Sequence, residues 1–368
     1  MYFIQKIFKI KIHFFPPKKS KFLIYDRMSL TIGLFQSLFK NVRNYNVLDV
    51  RYESINLYVL ILSILRFNFK KIKENYKKIY LETVSPKVVY TAIDNNPAFF
   101  KLKNIYSKAK YISDQNGIAK VIGQKWPNDF YNFCKNYNKR KINNKLKSDL
   151  LFTFNDQDKR YMSKIISSNI YALGNSKINN IIIRKKKIKK IIFINSGLFK
   201  QTIFKEIKIF SIIKKYAENY NLKLYLLSRK NYNYEKFYRS TFGSGKWFYI
   251  ARTNSSSSYD FLKKNSDSLV VFSHSTLGLE ALSVGFKCVI FLHSLAKKNM
   301  MWRSSSSGFF WTNKIIYQEA EILLNRVIKC NKKKWIKYKK TVSENYMIYD
   351  KFNRTKIKLI NKLLNLKK

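Results

Sequence analysis

Acidic residues are scarce in this chain: 21 Asp and Glu stand against 73 Lys and Arg in 368 residues, a formal charge of +52. Glycine (10), proline (5), cysteine (3) and histidine (3) are scarce as well, and each shortage excludes something. Three cysteines, Cys134, Cys288 and Cys330, odd in number and far apart, argue against a disulfide framework or a cysteine-built zinc site and fit a reducing compartment. There is no G-x-G-x-x-G, Walker loop, H-E-x-x-H or G-x-S-x-G, so dinucleotide, ATP, zinc-protease and serine-hydrolase readings have no support. No apolar run reaches the 18 residues of a membrane-spanning helix. The longest, Ile55 to Leu65, contains Asn56 and Ser63 and reads as a buried core helix. Lysines interrupt the opening MYFIQKIFKIKIHFFPPKK, which lacks a small-residue cleavage site, so an unexported, cytoplasmic protein is expected.

What is present is apolar and aromatic: 46% and 16% of the chain, enough to bury a sizeable core. Only 13 of the 73 basic residues are Arg, and Asn, Ile, Tyr and Phe are abundant. Part of the charge is therefore compositional, as in a coding sequence drawn toward A and T. Strand-like and helix-like runs alternate along nearly the whole length. Strands are expected at 21–26, 46–51, 87–94, 109–113, 150–154 and 169–173, with helices at 29–42, 54–67 and 95–107 and another ending near Thr83. After the charge-dense INNIIIRKKKIKK (178–190), taken as a linker, the alternation restarts with strands at 190–195, 222–227, 247–251, 269–273 and 288–292. Apolar strands with few alternating polar residues, separated by helices, belong to parallel sheets covered on both faces. The expected domains are 1–177, 190–331 and a pair of basic amphipathic helices at 332–368 that pack back on a domain or lie on a surface.

The segment with most chemical content is LVVFSHSTLGLEALSVGFKCVIFL (269–292). An apolar strand runs into Ser273, His274, Ser275 and Thr276, and a helix carrying Gly278 and Glu280 follows until Gly285 stops it. Hydroxyls and free N–H groups at a helix start make an anion site, for which pyrophosphate is a natural guest, and Glu280 is placed to accept from ribose hydroxyls. Spacing alone equally allows a hydroxyl N-cap with Glu280 as capping-box partner. Asp94 ends a buried strand ahead of Asn95, Asn96 and Pro97 and reads as a general base or as a helix cap. Gln115, Asn116 and Gly117 form a second polar loop after a strand, where Asn-Gly is also an ordinary turn. Gly197 opens the loop after KIIFIN, a place where backbone approaches phosphate or simply turns. Asp156-Gln157-Asp158 spells a D-x-D, but Asp158 reads better as an N-cap than as a metal ligand. His13 and His293 have no supporting motif; Trp302, Phe309, Phe310 and Trp311 are stacking candidates or, more commonly for such residues, core.

Together, SHSTLGLEALSVGFKCVIF, GFFWT (308–312), TAIDNNPAFFKLK (91–103) and SDQNG (113–117) resemble bacterial surface carbohydrate biosynthesis proteins, which are similar to glycosyltransferases of the GT-B type. The resemblance runs from LDVRYESINL (48–57) to about Thr312, and its S-T-L-G…E-A-x-x-x-G element is shared with non-hydrolysing sugar epimerases. It implies an α/β chain with two Rossmann-like domains facing a central cleft, with C-terminal helices. It also implies a donor nucleotide held at Ser275, Thr276, Gly278 and Glu280, with His274 and Arg252 near the phosphates, Gly197 in the neighbouring loop, and an acceptor met by Asp94, Asn95, Gln115, Asn116 and Gly117. Asp94 and His274 would be the catalytic groups. The nucleotide-sugar is a substrate, no cofactor or metal is implied, and the acceptor is a glycan or lipid-linked glycan.

Lysines are spread over almost every segment without Arg-rich clusters or a nucleic-acid module, so nucleic acid is not the expected partner. The anionic face of a membrane is a natural outlet for the charge, which makes the protein peripheral on the inner face of the plasma membrane. A basic RNA-binding protein, a catalytically inactive relative and a nucleotide-sugar epimerase are the alternatives.

Overall fold

The computed structural model describes residues 10–365 except 32, 52, 68, 70, 118–124, 141–144, 184–186, 196–199, 230–231, 253–254, 274 and 293–306. The chain forms two compact units. The first takes the chain up to Asn116, Trp126–Ser176 and everything from Asn353 onward; the second takes Gly117–Lys125 and Lys177–Phe352.

The first unit is a six-stranded parallel sheet built from β2 (Phe22–Tyr25), β3 (Tyr45–Leu48), β5 (Val88–Thr91), β6 (Lys110–Asp114), β7 (Lys147–Thr153) and β8 (Ser167–Ala172), in the order β3-β2-β5-β6-β7-β8. Successive side chains of a strand point to opposite faces, and here both faces are apolar. Leu23 and Tyr25 of β2 pack with Val89, Tyr111 and Leu151 on one side; Phe22 and Ile24 pack with Tyr90, Ile112 and Phe152 on the other. The first face is covered by α3 (Leu57–Phe67), α4 (Ile72–Val84), α5 (Pro97–Ile105), α6 (Lys125–Arg140) and α7 (Asp156–Ser163). The second has only the short helices α1 (Met28–Thr31) and α2 (Leu34–Leu38) from nearby sequence, because Gly33, at φ 72°, interrupts what reads as a single helix over 29–42.

The end of the chain completes that second face. Helix α14 (Arg354–Leu363) lays Ile360, Leu359 and Leu363 onto it. Its Lys356 is fully buried, with Nζ 2.8 Å from Asp114 Oδ1 and donating to the Gly174 carbonyl and the Ser176 hydroxyl, both at 2.7 Å. The basic C-terminal helices are thus divided between the units: α13 (Lys332–Tyr346) lies in the second and α14 in the first.

Two local expectations need correction. Residues 54–56 are not helical; they form β4 (Ser54–Asn56), paired in parallel with β1 (Lys11–His13) in a separate two-stranded sheet. Nor is the apolar run at 55–65 a buried core helix. Val59 and Ser63 are buried, but Tyr58, Ile61 and Leu65 are 39%, 48% and 73% exposed. An eleven-residue helix at the corner of a sheet can turn only one stripe inward.

The second unit repeats the design with β9 (Lys190–Ile194), β10 (Lys223–Arg229), β11 (Trp247–Arg252), β12 (Ser268–Phe272), β13 (Cys288–Phe291) and the two-residue β14 (Trp311–Thr312). The order is β11-β10-β9-β12-β13-β14, all parallel. This is the 3-2-1-4-5-6 order of a doubly wound Rossmann sheet, which reverses direction between β9 and β12. Helix α8 (Lys200–Asn219) brings Phe210 among Phe193, Tyr238, Phe242 and Trp247. In the aromatic segment after the second serine run, Phe310 is buried and packs on Trp335, and half-buried Phe309 stacks on Tyr338 at 3.9 Å; Trp302 and His293 lie outside the described residues. The stretch expected as a linker is fastened, since buried Asn179 accepts from the Asp350 N–H and Tyr349 donates to the Ile181 carbonyl.

Breaking a buried ion pair on one side leaves an uncompensated charge. Lys356→Met is therefore expected to destabilise the first unit by about 3–5 kcal/mol. The check is a lower urea midpoint for its unfolding transition; an unchanged midpoint would mean that the pair does not hold α14 in place.

Candidate functional site

Parallel strands send all their carboxyl ends to one edge, and a ligand finds open backbone groups where the strand order reverses. In the second unit that point lies between β9 and β12. Strand β9 ends at Ile194, just before Asn195, and β12 is followed by buried Ser273 and then α11 (Thr276–Val284). Ser275 is the N-cap: its backbone is extended and its Oγ accepts the Gly278 N–H at 3.3 Å. The cap keeps the first turn of α11 at the sheet edge, where its leading N–H groups have no partner within the helix. Thr276 begins the helix, half-buried.

Gly278 does something other than admit a phosphate. A Cβ there would sit 2.3 Å from the Phe272 ring, so the glycine lets the start of α11 close onto the end of β12. Glu280 is too far from the cap to complete a capping box, which would use residue 278. It is buried, and the Tyr259 hydroxyl donates to its Oε2 at 2.7 Å. Arg252 ends β11 and donates from Nη2 to the Asn195 carbonyl at 3.1 Å, tying together the ends of β11 and β9. His274 and Gly197 lie outside the described residues.

The first unit has its own cluster at the carboxyl edge. Asp94 follows β5, is 8% exposed, and accepts the Asn116 N–H at 3.3 Å. It is not the helix cap; Asn96 is, through Oδ1 accepting the Ala98 N–H at 3.0 Å, with Pro97 in the first turn of α5. Burial pushes the Asp94 carboxyl up from 3.8 to about 7; the Asn116 N–H opposes the shift, and Asp158 and Asp114 add to it. Asn95 is half-buried beside it. Gln115 is engaged in the framework, donating to Asp158 Oδ2 at 2.7 Å and accepting the Phe154 N–H at 2.6 Å. Gly117 is exposed, and its Cβ position is open. In the D-x-D segment the N-cap of α7 is Asn155, not Asp158, which is buried at the third helical position.

Sequence reasoning passed over two groups at the second unit's edge. Glu206, on α8, is buried and accepts from the Ser273 hydroxyl at 3.4 Å. Tyr259 holds Glu280. The signal for Glu206 was present: it falls three, four and seven residues before Ile209, Phe210 and Ile213, on the buried stripe of a Lys-rich helix. Tyr259 offered none in a chain with 26 tyrosines.

Over 95% of its length the chain matches 98% of a UDP co-structure of S. aureus MnaA (14% identity, TM-score 0.52). It matches a UDP-N-acetylglucosamine 2-epimerase over 96% of this chain and 98% of that one (15%, 0.55). A variant of the wall teichoic acid polymerase TagF matches over 95% and 90% (11%, 0.53). The chain is GT-B-like. Such identities establish the fold of the GT-B-like chain and not its chemistry. Residues 195–364, just under half of it, match the model of a family described as "putative O-antigen biosynthesis protein". No curated protein matches in sequence.

Two outcomes follow from the geometry. Gly278→Ala must displace Phe272 or the helix start and is expected to cost about 1–3 kcal/mol, read as a lower thermal midpoint. An unchanged midpoint would show that the close approach is not needed. For Asp94 the folded pKa lies above the unfolded one, so its contribution is fully present below about pH 4 and lost as pH rises through about 7. Asp94→Asn is expected to flatten the stability profile across that window, and a profile as steep as wild type would contradict the burial of this carboxyl.

Proposed function

We propose that the chain is a nucleotide-sugar-dependent glycosyltransferase of surface polysaccharide biosynthesis, acting on a glycan or lipid-linked acceptor. The observation that carries this reading is the reversal point of the second unit, where the Ser275-capped helix start stands between the ends of β9 and β12. The UDP named in the MnaA co-structure and the O-antigen family match over 195–364 support it.

In this reading the leading N–H groups of α11, the Ser275 and Thr276 side chains and Arg252 receive the diphosphate, and Glu280 receives the ribose. The glycosidic C1–O bond breaks with its electron pair going to the phosphate oxygen, where helix N–H donors stabilise the developing charge by about 3 kcal/mol each. The acceptor oxygen forms the new bond to C1, and its proton passes to Asp94. A base near pKa 7 is ionised often enough and basic enough to do this at neutral pH. His274 and Gly197 are assigned to the phosphates, and Asn95, Asn116 and Gly117 to the acceptor, with Gln115 setting the position of their loop.

One thermal-shift series tests the reading, using UDP, GDP, CDP, CMP and their sugar conjugates, with single-stranded RNA as a charge control. Saturable stabilisation by one nucleotide that survives high salt is expected; stabilisation by RNA alone, lost with salt, would overturn it in favour of a basic RNA-binding protein. Asp94→Asn is expected to keep the nucleotide shift and lower transfer about a hundredfold or more. Release of a 2-epimer from the donor without transfer would identify an epimerase.

A further inference from the structure

Outside these edges, the first unit leaves large apolar side chains in water at one corner. Tyr58, Ile61 and Leu65 recur along α3 at helical spacing, and Phe69 just beyond it is 75% exposed. Beside this stripe runs the segment with Ile12, Phe14 and Phe15, exposed by 57%, 65% and 84%. The two are fastened together. Strand β1 pairs with β4, which leads directly into α3, and Asn56, the residue before the helix, donates to the Phe15 carbonyl at 2.8 Å while its Oδ1 accepts the Val59 N–H. These aromatics are therefore presented on a fixed backbone.

The charge around them is predominantly positive. Residues 10–21 carry Lys11, Lys18, Lys19 and Lys21, and residues 57–73 carry Arg66, Lys70, Lys71 and Lys73; Glu53, Glu74 and Glu82 flank these stretches, and Glu82 pairs with Arg66 at 3.4 Å. Lys11, Lys18, Lys19, Arg66, Lys71 and Lys73 are exposed. Apolar surface flanked by an excess of cations is poorly matched to water. It is well matched to an anionic bilayer, where apolar insertion and headgroup attraction act together.

We propose that the outer stripe of α3, with the Phe14–Phe15 segment, is a docking surface for an anionic membrane. Ile61, Leu65, Phe14 and Phe15 enter the headgroup layer, and the neighbouring exposed lysines bind lipid phosphates. None of these residues is among those assigned to the nucleotide or the acceptor, so loss of vesicle binding and loss of nucleotide binding are separate outcomes.

The test is flotation of the full-length protein with phosphatidylcholine vesicles with and without phosphatidylglycerol. Wild type is expected to bind the anionic vesicles. Ile61→Ser/Leu65→Ser and Phe14→Ser/Phe15→Ser are each expected to weaken that binding about tenfold or more at an unchanged thermal midpoint, because the side chains removed are exposed. Lys18→Glu/Lys19→Glu should weaken it mainly at low salt. Wild-type binding in either serine variant would mean that diffuse charge alone is responsible and would overturn the proposal. So would a failure of wild type to bind anionic vesicles, or a dimer in light scattering that dissociates in the Ile61→Ser/Leu65→Ser variant, which would give the stripe to a second copy of the chain.

Discussion

A parallel sheet must be covered on both faces, and most of this structure follows from meeting that requirement twice. The second unit does it with helices from consecutive sequence. The first cannot, because the segment after β2 is broken at Gly33 into two short helices that leave part of a face bare. The chain's last helix closes that face with Ile360 and pins itself through Lys356 and Asp114. The same requirement concentrates polar chemistry at one place in each unit. With both faces and the strand interiors apolar, the carboxyl edge is where hydroxyls, amides and carboxylates can cluster.

The carboxylates make this visible. Among the described residues, seven acidic side chains are buried: Asp26, Asp94, Asp114, Asp158, Glu206, Glu280 and Asp350. Acids rarely go inside unless paired, so in a chain that has so few the buried share marks positions with a task. Asp26 meets Arg51, Asp114 meets Lys356, Asp158 meets Gln115, and Glu280 meets Tyr259. Asp94 stands apart, with a backbone N–H as its hydrogen-bond donor and two other carboxylates nearby, and its proton affinity rises accordingly. A surface rich in Lys for compositional reasons and an interior that retains its carboxylates under structural demand are two independent layers of this sequence.

Periodicity made the fold legible. Every strand expected from 21–26 to 288–292 corresponds to a strand within a few residues, and the restart of the alternation near residue 190 marked a second α/β unit, whereas the GT-B likeness came from the family resemblance. What it missed depends on partners distant in sequence. β1 is three residues long and exists because β4 lies beside it. The destination of α14 is set by a bare face formed more than 300 residues earlier. At the candidate edge, the hydroxyl cap and Asp94 were readable from strand-to-helix junctions, whereas the work of Gly278 against Phe272 and of Gln115 against Asp158 required the packing to be seen.

In the proposed function the second unit receives a nucleotide diphosphate at the reversal point between β9 and β12. Diffraction from crystals of the protein grown with saturating UDP tests it most directly. Diphosphate density is expected against the first turn of α11, within hydrogen-bond reach of Ser275 and Thr276. Density at another edge of either sheet, or an empty helix start at saturation, would contradict it.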